Sequence, residues 1–502
     1  MKFAATLLIL AVGANGQPSD DANCISTCGS CYDSSTHVLT CYTQYVGNCE
    51  SGYWFAGSDC DNEPNATCWS DYNSYGRYCI EGGTSASGNT YTALDGCCSF
   101  SHEDIAGYYP NSDVGDHEMI DVDVAAMSGW LDTYNFSKAY KEYSEGGGSL
   151  KSYSGSWGNW VYVYRTVQGF SKDLTGEAMY DIYNSYWGST TYADDFVSAA
   201  LMGTTDPGSN VDFGSLIDDA RVQLAMKGAV YQNVWMYVLH ELESAIEDCE
   251  AGIPDDDDHV DVADCTGCHA WDQAWAFWAG SHQSVGATDG YLVYTLAEKR
   301  CTNFGTCGAN GDSMDSADRP SYVNRELLAQ FNSGLTNLQA GSCTLAQANL
   351  DAIAVLMTIP LIQGTLRSAY KCDPAALNEG DEACAEAYAF AAALLPQIDN
   401  CDAAAATTVK SNMIPGANIP DGFAAVKDAV ESTYRCLGIQ CSDIGGLYDG
   451  DSYYSGMEPC SFSPSAAPTY TAAPLSGAAA GGPKMLTSVF AVFAALAALI
   501  RA

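Results

Sequence analysis

Positive charge is what this sequence has least of: 20 Lys and Arg stand against 62 Asp and Glu, a formal net charge of -42. So acidic a chain repels phosphate backbones, which excludes nucleic acid as a partner and makes cations the natural small ligands. Histidine is scarce as well, with seven in the chain. His240-Glu241 has no second histidine at the fifth position, so the zinc-protease pattern His-Glu-x-x-His is missing. The acidic run from Asp255 to Asp258 lacks the alternating ligand spacing and turn glycine of a calcium loop, which leaves a solvated loop between helices. The apolar stretch from Met485 to Ile500 falls short of the roughly 20 residues a membrane-spanning helix needs.

Cysteine, by contrast, is plentiful. Residues 1–16 have the charged start, short apolar run and small-residue exit of a secretory signal, with cleavage before Gln17. All 22 cysteines remain in the exported chain, and in an oxidising compartment they imply about eleven disulfides of unassigned pairing. Cys265-Thr-Gly-Cys268-His269 spells the c-type haem attachment motif, but in this setting the two thiols are expected to be oxidised to disulfides instead. Asn65-Ala-Thr67 and Asn135-Phe-Ser137 are glycosylation acceptors. At the far end, the small residues Ser476-Gly-Ala478, a spacer to Lys484 and the apolar tail 485–502 have the order of a GPI signal, with lipid joined at Ser476. A genuine tail anchor is the alternative, and either places the protein on an outer membrane surface.

Composition divides the chain between these addresses. Residues 17–112 form a cysteine-rich, disulfide-stapled module with almost no aliphatic run, and Ser99 to about Gly115 looks like a linker. Residues 113–460 are expected to form a helical domain, which a duplication would divide into two halves at about 113–310 and 311–460. The Pro/Ala/Ser-rich segment 461–484 is a stalk. The expected fold is mainly α, a duplicated helical-bundle ectodomain behind a small disulfide module. The duplication rests on a weak echo of Cys249, Cys268 and Ala274-Trp-Ala-Phe277 in Cys372, Cys384 and Ala387-Tyr-Ala-Phe390.

Chemistry concentrates on two helices. Ala220 to His240 repeats apolar residues at three- and four-residue steps and meets stop signals before Pro254; Trp271 to Gly280 behaves likewise. His240 with Glu243, and His269 with Asp272, each set an imidazole and a carboxylate three residues apart on one helical face. Two such faces could hold a metal ion, as in carboxylate-bridged helix bundles. The donor set suits zinc or iron better than soft ions.

Several segments in order resemble one family: Gly169-Phe-Ser171, Tyr186 to Phe196, Lys227 to Glu243, Trp271 to Phe277, Leu296 to Cys307, Pro360 to Arg367 and Cys436 to Cys441. Together, over about residues 138–447, they are similar to the phytotransferrins, iron-starvation-induced surface proteins of diatoms and other marine algae, related to the iron-assimilating periplasmic proteins of green algae. The resemblance implies a binding protein, not an enzyme, that takes ferric iron with carbonate at the cell surface and passes it to endocytic uptake through a partner not known. Iron would then sit at His240, Glu243, His269 and Asp272, with tyrosines nearby. A carbonate beside carboxylates needs a fixed cation, for which Lys299 and Arg300 are the candidates. A metal-dependent redox enzyme on a His/Glu bundle and a structural cell-wall glycoprotein are the other readings. Stoichiometric iron binding without turnover separates the first from the enzyme, and any tight metal binding removes the third.

Overall fold

The computed structural model describes residues 104–154, 160–253, 265–308, 320–416 and 419–461, together with short strands between Ala22 and Tyr91. The signal, the stalk, the GPI region with Ser476, the tail and Asn65 lie outside the described residues. The chain divides into two units, Met1–Glu103 and Asp104–Ala502. In the first, Ala22–Ile25, Ser30–Asp33 and Val38–Cys41 pair antiparallel in chain order.

The second unit is helical. It begins with α1 (Gly115–Glu118), α2 (Ile120–Leu131) and α3 (Phe136–Glu145), followed by an antiparallel hairpin of Leu150–Ser154 with Trp160–Tyr164. Next come α4 (Ala178–Trp187), α5 (Tyr192–Met202) and α6 (Asp218–Gly228). A π-helical stretch, Ala229–Val234, carries α6 without a break into α7 (Trp235–Ala251), so the long helix foreseen through His240 is present. Gly252 ends it at a φ of 63°, a left-handed cap that glycine adopts without steric cost. α8 (Cys268–Ala279) is the second foreseen helix and stops at Gly280. There follow α9 (Val293–Phe304), α10 (Tyr322–Gln339), α11 (Cys343–Cys372), α12 (Asp381–Cys401), α13 (Ala403–Met413), α14 (Gly422–Ser432) and α15 (Cys441–Ile444).

One core joins the whole unit. α7 packs on α8 and α11, α6 on α12, and α10 on α11 and α8, so helices from either side of residue 310 share an interior. By length and composition α11 could cross a membrane, but most of it is buried among its neighbours, as a core helix is. On α8, Trp271, Trp275 and Trp278 recur at helical spacing and are fully buried. Each indole N–H has an acceptor, the Phe331 carbonyl at 3.0 Å, the Ile105 carbonyl at 2.7 Å and Asn324 Oδ1 at 3.0 Å, which makes large aromatics tolerable at the centre. Gly334 lets α10 lie against Trp271: a Cβ there would come within 2.0 Å of the indole ring.

The linker expected up to Gly115 is in part core, because Tyr108 is fully buried and Ile105 takes the Trp275 hydrogen bond. Six disulfides staple the described unit: Cys249–Cys343, Cys265–Cys268, Cys301–Cys307, Cys372–Cys384, Cys401–Cys436 and Cys441–Cys460. Cys265 and Cys268 are therefore oxidised to each other, as expected, and not available to haem. Cys249 pairs with Cys343 whereas Cys372 pairs with Cys384, so the bonding gives the proposed sequence echo no support.

Candidate metal centre

The π-helical stretch and α7 set Tyr237, His240 and Glu241 at steps of three and four, hence on one narrow stripe. The residue that meets them, Glu177, precedes α4 as its N-cap and lies 63 residues earlier. His240 Nδ1 is 2.5 Å from Glu177 Oε1. An imidazole whose Nδ1–H is held by a carboxylate has its lone pair on Nε2, the tautomer that metal-ligating histidines use. Glu241 is buried, and burial raises its pKa while His240, the Tyr237 hydroxyl, Lys172 and Arg165 act the other way. Tyr237 donates its phenol hydrogen to Glu241, and burial first, then that neighbouring charge, holds the phenol protonated. Its ring is stacked on Phe170 at 3.9 Å, with Lys172 Nζ 5.0 Å above the ring centre.

Glu243 also feels the charge of Glu177. It accepts the N–H of Ala178 at the start of α4, yet its pKa is pushed up to about 8, by burial first and then by Glu177 and Glu247. The neutral acid therefore dominates below that pH. A cation between Glu177 and Glu243 would offset the burial cost and the repulsion that together keep the proton on.

The second foreseen pair divides between two tasks. His269 packs edge-on against His117, ring centres 5.4 Å apart. Asp272 has no exposure, and its oxygens accept from Tyr108 Oη at 2.5 Å, Asn111 N at 2.7 Å and Ser112 Oγ at 2.8 Å. It secures the segment entering the core. The rings run in contact from His240 through Tyr237, Phe277 and His117 to His269, each step between 5.1 and 5.7 Å, so the two histidines border one cluster without meeting. Among the described residues no three His, Cys, Asp or Glu side chains are gathered closely enough to hold an ion by themselves.

His117, Arg165, Lys172, Glu177 and Tyr237 are not singled out by the sequence, and Glu241 enters there only through the missing zinc-protease pattern. His117 is buried, with its Nε2 against Arg165 and no partner for Nδ1 among the described residues. Burial, then Arg165, keeps the ring neutral by lowering its pKa well below the usual value. Arg165 is anchored on the Leu150 carbonyl. Tyr237 with His240 and Glu241, i, i+3 and i+4 on one helix, was the signal available. Lys299 and Arg300 do not share a face: Lys299 is exposed and Arg300 buried beside Arg367, Glu386 and Tyr231. Asn135 caps α3, its Oδ1 accepting from Lys138 N at 3.3 Å, which leaves the amide nitrogen, the atom a glycan takes, out of that bond.

Fold and site together define a disulfide-bonded helical protein whose half-buried cluster offers imidazole, phenol and carboxylate donors, a set suited to a hard cation. The chain belongs to the Fea1 family, described as low iron-inducible periplasmic protein, whose family model matches residues 86–457. That membership gives it an iron-related role and agrees with export from the cytoplasm. Comparison with curated proteins and with solved structures finds no match.

Proposed function

We propose that the chain captures ferric iron with carbonate on the outer surface of the cell and carries it into endocytic uptake. The observation that carries this reading is the 2.5 Å contact of His240 Nδ1 with Glu177, which turns the Nε2 lone pair of His240 to a ligand's use beside Tyr237 and Glu241. Ferric iron favours phenolate and carboxylate oxygens and tolerates imidazole, so His240, Tyr237 and Glu241 are its proposed ligands, with Glu177 orienting and Glu243 adding charge once ionised. The Tyr237 proton has a nearby acceptor in Glu241. Carbonate needs positive charge at hand, and Arg165 and Lys172, both of which act on Glu241, supply it. Nothing in this scheme turns a substrate over, which fits a binding protein.

Titration of the ectodomain 17–476 with ferric ion tests the reading. One ion per chain is expected with bicarbonate and much weaker binding without it. Unchanged stoichiometry in His240→Ala combined with Glu241→Gln would move the site elsewhere. The lipid anchor at Ser476 is proposed from the tail sequence alone, and release of the protein from cells by a phosphatidylinositol-specific phospholipase tests it; retention would favour the tail as a true anchor.

A further inference from the structure

A chain with 20 basic residues in 502 places four of them together. Lys227 of α6 lies 3.4 Å from Glu386 of α12, and Lys371 at the end of α11 lies 3.8 Å from the same carboxylate and 2.6 Å from Glu379. Arg300 of α9 sits beside Arg367 of α11, Glu386 and the Tyr231 phenol. Arg300 is 7% exposed, and its Nε and Nη1 find no acceptor among the described residues. A buried guanidinium with two idle N–H groups next to a second guanidinium is costly unless an anion completes it. Four cations against Glu386, Glu379 and Glu382, the last of which also acts on Lys227, leave one positive charge over, and Glu386, shared between two lysines, cannot also satisfy both arginines.

We propose that Arg300, Arg367, Lys227 and Lys371 form a binding site for one small oxyanion of the phosphate, sulfate or carbonate type. The planar guanidinium fork of Arg300 donates to two oxygens, Arg367 approaches from α11, and the two lysines balance the remaining charge. Tyr231 stacks on Phe390, ring centres 5.0 Å apart, and closes one side with an apolar wall. This site is separate from the iron cluster. Tyr231 precedes His240 by nine residues, about 13 Å along a helix, and none of the four cations is among the charges acting on Glu241 or Glu243. Because the protein as a whole repels anions, occupancy here reports the local arrangement and not a general attraction.

Calorimetric titration of the iron-free ectodomain with inorganic phosphate at low ionic strength tests this, with sulfate, bicarbonate and chloride as parallel arms. One phosphate per chain is expected, at least tenfold weaker in Arg367→Gln and in Lys227→Gln, and unaltered in His240→Ala. Chloride should give no saturable heat. If Arg300→Gln fails to fold, the two half-buried positions still decide. Saturation by bicarbonate alone would identify carbonate as the occupant. No saturable binding of any oxyanion, or phosphate binding that survives both variants, overturns the site. Loss of phosphate binding in His240→Ala would also overturn its independence. Iron binding can fail with this site intact, so the two readings stand or fall separately.

Discussion

Replacing Glu243 by Gln should make the iron-free protein more stable at neutral and alkaline pH and no more stable in acid. The carboxyl titrates near pH 8 in the folded chain against 4.5 as the ordinary value. Between those values the folded state holds a proton that the unfolded state has released, so stability falls as pH rises, and the loss is complete above about pH 8. At 1.36 kcal/mol per unit the ceiling is about 5 kcal/mol at pH 8 and about 3 at pH 7. Glu243 is only partly buried, and water screening trims the neutral-pH figure to about 2 kcal/mol. Glutamine is neutral at every pH, has the same length and keeps an oxygen for the Ala178 N–H, so it avoids that cost without opening a cavity. Thermal denaturation of the ectodomain and its Glu243→Gln variant at pH 4.5, 7 and 8 measures the effect. The midpoints should coincide at pH 4.5 and separate by a few degrees at pH 7, and further at pH 8. A variant that is less stable at pH 8, or that differs equally at 4.5 and 8, would refute the assignment of this strain to Glu243. Iron loading of the wild type at pH 7 should release a proton that the variant does not.

Three further outcomes are expected. Asp272→Ala should cost about 3 kcal/mol, because three donors from 108–112 lose a buried acceptor, while the folded fraction keeps its iron stoichiometry; selective loss of iron with normal stability would return Asp272 to the ligand set. Gly334→Ala should cost about 1–3 kcal/mol through the Trp271 clash, read as a lower urea midpoint; an unchanged midpoint would show that the two helices can part. Removal of bicarbonate should weaken iron binding less in Lys172→Ala than in the wild type, and an unaltered carbonate dependence would take Lys172 out of the anion's surroundings.

The helices were legible because their apolar residues recur at three and four and glycines mark their ends, as at Gly252 and Gly280. The oxidised state of Cys265 and Cys268 followed from the exported setting. Asp272 shows what spacing leaves out: it shares a face with His269, yet its partners are fixed by a segment 160 to 164 residues earlier, which nothing near Asp272 announces. Glu177 is the converse, a cap residue without local distinction that tertiary packing carries to His240. Lys299 and Arg300 were paired as neighbours in sequence, but adjacent residues on a helix point about 100° apart, and the core takes only one of them. His117 belongs to a helix of four residues and Arg165 follows directly on a strand, where periodicity has too little length to speak.

The most direct measurement is the visible spectrum of the ferric protein. A phenolate bound to ferric iron gives a charge-transfer band in the visible range, so the loaded ectodomain should be coloured, and Tyr237→Phe, which removes one oxygen and leaves the ring stacked on Phe170, should abolish the band and weaken iron binding. A colourless wild-type complex, or a band undiminished in Tyr237→Phe at full iron loading, would contradict the placement of iron at His240, Tyr237 and Glu241.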